Sequence, residues 1–234
     1  GDLESAGSVA SDLAAHPSPF TGLLSRVPEM IVAISKGRHE EALDIAVELA
    51  PFKDLAGPYL FGIVLIVQAY AHFMVGDLDA TTAVLDELDE WVGGVFHQTI
   101  PIRIELRLRT AAVRGDADGL GRLKRRTADL AGHVRAGPGL RGNDALASGL
   151  LAAHEGDLLV ASQDHRRAAE LLSRSPRLLP AGLAWCDAAA LALDADRRDD
   201  ARINLLQADR LIEEQGIEAL RPIAERVRRR LGPT

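Results

Sequence analysis

The chain has 234 residues, of which 47% are hydrophobic, so it is long enough to bury a sizeable core and too apolar to be disordered. Its formal net charge of −7 argues against a surface that binds nucleic acid as a whole. The single cysteine, Cys186, excludes an intrachain disulfide, which is typical of a reducing compartment and predicts a cytoplasmic location.

Five short motifs recur along the chain with a period near 40 residues. Four of them begin at Gly37, Gly76, Gly115 and Gly156, and the fifth has Asp196 in the place of glycine. Glycine adopts the left-handed conformation that ends a helix, and an aspartate after it can accept a hydrogen bond from the free amides of the next helix. Each motif therefore predicts a tight corner between two helices.

Proline and apolar spacing complete the expected helix pairs. Prolines stand upstream of the corners, where a helix tolerates them in its first turn, and Pro28 is a candidate break within the first pair. The segment 59–75 is nearly all apolar but short for a membrane span, and it predicts a buried core helix. The predicted helices are 2–15, 21–36, 38–50, 58–75, 77–92, 101–114, 117–133, 141–155, 157–173, 180–194, 198–215 and 218–231.

No segment alternates between apolar and polar residues for long enough to predict a strand. The sequence thus predicts an all-α fold of about five helix pairs, with the lone helix 218–231 as a cap on the stack. The loop 136–142, with the sequence AGPGLRG, is the best candidate for a hinge.

The period and the corners resemble the tetratricopeptide-like (TPR, MalT-type) helical repeats of large LuxR-type bacterial transcription regulators. The tail sequence Leu220–Arg226, followed by Leu231 and Gly232, resembles the last repeat before the DNA-binding domain of such regulators. The resemblance implies a right-handed α-α superhelix that fills 1–234 as a single domain. It also implies a non-enzymatic module that senses an inducer or binds a partner protein, with DNA contacted only through a separate domain. The alternative is a free-standing TPR scaffold in a multiprotein assembly.

Patterns for catalysis or for a bound cofactor do not emerge from the residues. The chain has no G-x-x-x-x-G-K-[ST] loop for a nucleotide and no H-E-x-x-H zinc motif. The acidic run 77–90 places Thr82 and Leu88 where a calcium loop needs Gly and Glu, so it predicts a solvated or ion-paired face. We predict no catalytic residue, metal or cofactor, and we expect His72 and His165 to be core histidines.

A ladder of arginines supplies the predicted binding site. In the helix predicted at 101–114, Arg103, Arg107 and Arg114 lie beside the core stripe of Ile100, Ile104, Leu108 and Ala111. Guanidinium groups suit carboxylates and phosphates, so the ladder predicts a bound acidic peptide, protein partner or small anionic ligand. The structural alternative is pairing with the preceding acidic helix, through Asp86 or Glu90. Arginines in 226–231 could contact phosphate, but a basic last turn more often complements the helix dipole.

Overall fold

The computed structural model describes Ser8 and residues 19–92, 99–175 and 178–232, and every regular element in these ranges is helical. The all-α prediction is therefore confirmed for the described residues. Short 3-10 turns at Ala50–Phe52 and Glu218–Leu220 precede α3 and α11. The predicted helix 2–15 lies, apart from Ser8, outside the described residues. The helices are α1 (Pro19–Ser35), α2 (His39–Leu49), α3 (Lys53–Val75), α4 (Leu78–Val92), α5 (Ile100–Arg114), α6 (Ala117–Ala131), α7 (Pro138–Glu155), α8 (Leu158–Leu172), α9 (Leu178–Asp194), α10 (Arg198–Gln215) and α11 (Arg221–Leu231).

The corner glycines take the left-handed conformation that their motif predicts. Gly76 and Gly156 both have φ of 85°, and Gly37 and Gly115 have φ of 76° and 68°. At Gly156, the amide of the next residue, Asp157, reaches back to the carbonyl of Ala152 at 2.9 Å, which satisfies a carbonyl at the end of α7. The corners are therefore compact helix ends and not flexible linkers.

Aspartates cap the helices that follow three of the corners. The side chains of Asp77, Asp116 and Asp157 accept hydrogen bonds from backbone amides three residues later, at 3.0, 2.8 and 3.1 Å. These bonds satisfy one of the free amides in the first turn of α4, α6 and α8. The fifth corner keeps the same backbone turn without glycine, because Asp196 has φ of 56°. Aspartate is among the few residues that tolerate this conformation.

The prolines predicted upstream of the corners, Pro58, Pro101, Pro138 and Pro180, lie in the first turns of helices, as expected. Gly57 has a non-helical backbone inside α3, so the regular helix begins at Pro58 as predicted. Pro138 occupies the first turn of α7, three residues before the predicted start at 141. The loop predicted at 136–142 is therefore too long, since residues 138–142 are helical, and its role as a hinge stays a prediction. The helix α1 continues through Pro28, so the suggested break there is wrong.

The chain divides into two compact units, which we call the N-terminal unit (Asp2–Leu106) and the C-terminal unit (Arg107–Thr234). In the N-terminal unit, α1 packs against α2 and α3, and α3 packs against α4. In the C-terminal unit, each helix from α6 to α11 packs against the next one along the chain, and α9 also contacts α11. Such neighbour-to-neighbour packing is typical of helical repeats. A single repeat domain over 1–234 stays a prediction.

The apolar segment of α3 lies in the core of the N-terminal unit. Val64 and Ala71 are fully buried, and Leu65 is 1% exposed. The stretch His39–Val75 contains one window that is long and apolar enough, by length and composition alone, to cross a membrane, and half of that window is buried within the protein. Burial of this kind is typical of a core helix, as the sequence predicted.

Candidate functional site

The first arginine of the predicted ladder is held by an ion pair. Arg103 Nη1 contacts Asp89 Oδ1, and the Arg103 side chain is only 11% exposed. Asp89 belongs to the acidic helix α4, so the acidic run is ion-paired at this point, as the structural alternative expected. The partner of Arg103 is Asp89, which faces it from the preceding helix. Pairing of the ladder with Asp86 or Glu90 stays a prediction. A guanidinium already bound to a carboxylate is a poor site for a second anion.

The other two ladder arginines lie in the C-terminal unit. Arg107 is half-buried and Arg114 is exposed at the end of α5. The unit boundary falls between Leu106 and Arg107, so the three predicted residues do not belong to one compact unit. The core stripe beside them is confirmed, since Ile104, Leu108 and Ala111 are all buried.

A second arginine of α5, missed in the sequence, forms a buried ion pair in the C-terminal unit. Arg109 Nη1 lies 2.6 Å from Asp187 Oδ2, and the Arg109 side chain is 6% exposed. The two residues are 78 positions apart, so the pair joins α5 to α9. The one local signal is Asp187 itself, a single charge within the apolar run 181–193 of α9. A lone carboxylate in such a run requires a buried partner.

His165 lies close to this ion pair and is a satisfied core histidine, as predicted. Its side chain is 1% exposed, and Nδ1 lies 2.8 Å from the carbonyl oxygen of Ala161. Burial lowers the pKa of His165, the nearby Asp187 opposes this effect, and Arg109 adds to it. The imidazole is therefore held neutral near pH 7. Cys186, next to Asp187, is also buried, and burial raises the pKa of its thiol to about 12, which makes it an inert core residue.

In the N-terminal unit, two polar contacts join different helices. Glu105 is fully buried and accepts a hydrogen bond from the Tyr70 hydroxyl of α3. Lys53 Nζ lies 4.3 Å from the centre of the Trp91 ring and forms an ion pair with Glu87 at 2.7 Å. These contacts give Glu105 and Lys53 structural partners on neighbouring helices.

An open groove lies between α10 and α11 in the C-terminal unit. It encloses about 690 Å³, and we call it the C-terminal groove. Its floor contains the buried side chains of Leu205 and Leu231, and Leu206 is 51% exposed at its side. Charged residues surround this apolar floor; they include Arg202, Asp209, Glu225, Arg228 and Arg229.

The charges around the groove are partly matched within the unit. Arg228 pairs with Asp209 at 2.7 Å, and Arg202 pairs with Asp199 at 2.8 Å. Neither Glu225 nor Arg229 forms an ion pair with any residue that the structure describes. The sequence identified the basic last helix but not this groove, because the apolar floor comes from two helices whose contact follows from tertiary packing.

Within the described ranges, no group of three or more histidine, cysteine, aspartate or glutamate side chains is placed to hold a metal ion. No protein-family model matches the sequence, and no curated protein matches it significantly. The geometry of the chain itself is therefore the basis of the functional proposal.

Proposed function

We propose that the chain is a protein-binding helical repeat module of the TPR type, and that it serves as the sensing or interaction domain of a LuxR-type bacterial transcription regulator in the cytoplasm. The observation that carries the proposal is the repeated corner. Five left-handed residues, spaced 39 to 41 positions apart, each join two helices in the same way. Repeated helix pairs stacked on their neighbours present extended surfaces, which repeat proteins use to bind other chains.

The surface that we propose for the partner includes Arg107 and Arg114. Both belong to α5 and both lie in the C-terminal unit, where Arg114 is exposed. The partner is an acidic protein segment, or a small anionic ligand, because guanidinium groups bind carboxylates and phosphates with two parallel hydrogen bonds. Arg103 belongs to the predicted site as well, and its ion pair with Asp89 assigns it a supporting role in holding α5 against α4.

Quantitative affinity purification from the source organism tests this proposal. The wild-type chain serves as bait beside an Arg107→Glu/Arg114→Glu variant and a control, Arg122→Glu/Arg126→Glu. Arg122 and Arg126 are exposed on α6 and change the net charge by the same amount. We expect a protein that is retained by the wild type and by the control and lost with the α5 variant. Equal retention by all three chains would remove α5 from the binding surface.

A further inference from the structure

We draw no further inference here: the strongest candidate, the C-terminal groove between α10 and α11, has an apolar floor that includes Leu205 and Leu231, but nothing in the structure shows what covers it.

Discussion

The two compact units use the same corners but fill their interiors differently. Nine aromatic residues occur in the chain, and eight of them precede residue 107. The N-terminal unit also buries large aliphatic side chains completely, such as Met30, Leu65 and Leu88. The C-terminal unit instead brings helices close together at glycine and alanine. A β-carbon on Gly149, for example, would lie 2.4 Å from Nδ1 of His165.

The difference shows that the same left-handed corner can join helices that pack in two different ways. Large side chains keep helix axes apart and gain stability from the apolar area that they bury. Glycine and alanine let backbones approach, and the contact then depends on the absence of a side chain. At Gly182, a β-carbon would come within 2.1 Å of Leu220, which is itself fully buried. The units should therefore respond to opposite kinds of substitution.

The largest effect is expected from removing a large side chain in the N-terminal unit. Leu88 is fully buried in α4, so Leu88→Ala should lower the free energy of unfolding by about 3 kcal/mol through lost apolar contact and a residual cavity. Chemical denaturation with urea measures this change. The matched control is Leu55→Ala in α3, because Leu55 is 54% exposed. Equal losses for both leucines would contradict the packing described for this unit.

Enlarging a small residue in the C-terminal unit should have the next largest effect. Gly149→Val should destabilise by about 2 kcal/mol, because the added side chain meets the His165 ring and the carbonyl oxygen of Ala161, which lies 3.1 Å from the added β-carbon. Gly149→Ala should cost less, since alanine adds one carbon and improves helix propensity. Thermal unfolding of the two variants tests this order. A Gly149→Val protein as stable as the wild type would mean that α7 and α8 are further apart.

Corner glycines should behave alike in both units. At Gly76 and Gly156, a β-carbon would meet no other atom within 4 Å, so only the left-handed backbone disfavours a side chain. Gly76→Val and Gly156→Val should each destabilise by about 1–2 kcal/mol. Gly76→Asn and Gly156→Asn should cost less, because asparagine tolerates this conformation. Denaturation midpoints that do not distinguish Val from Asn would argue against the corner geometry.

The Arg103–Asp89 ion pair should have a smaller effect. Arg103→Ala should destabilise by about 1 kcal/mol, because the arginine is mostly buried but Asp89 is 42% exposed, which weakens the pair by solvent screening. A double-mutant cycle with Asp89→Ala isolates the interaction between the two side chains. An interaction energy near zero would show that the arginine acts through packing of its aliphatic stem.

The smallest expected effect on stability is the loss at acid pH that comes from buried His165 in the C-terminal unit. Burial lowers the pKa of His165 below its ordinary value of 6.5, so the unfolded chain takes up a proton at higher pH than the folded one. The contribution of neutral His165 to the free energy of unfolding is therefore complete above pH 6.5. It is lost as the pH falls from 6.5 towards the pKa of His165 in the folded protein. His165→Gln should reduce this loss of stability in acid. His39→Gln is the comparison variant. Burial lowers the pKa of His39 as well, but His39 is only half-buried, whereas His165 is completely buried.

Local features of the fold were predictable from the sequence, and long-range ones were not. Gly156 and Asp157 define a corner because the conformation of glycine and the capping bond of aspartate act within a few residues. The helix 198–215 was bounded correctly for the same reason. The Arg109–Asp187 pair could not be predicted, because it joins residues 78 positions apart through tertiary packing. The arginine ladder was selected by spacing along α5, which does not reveal that Asp89 already binds Arg103.

The central claim is that five left-handed corners divide the chain into helix pairs, and backbone NMR chemical shifts of the labelled protein test it most directly. We expect helical carbon shifts from Pro58 to the end of α3 and along α4, with an interruption at Gly76 and Asp77, and matching interruptions at residues 37, 115, 156 and 196. The shifts should stay helical through Pro28, where α1 is continuous. Helical shifts that continue through Gly76 or Gly156 would contradict the account, because the pairs would then be single long helices.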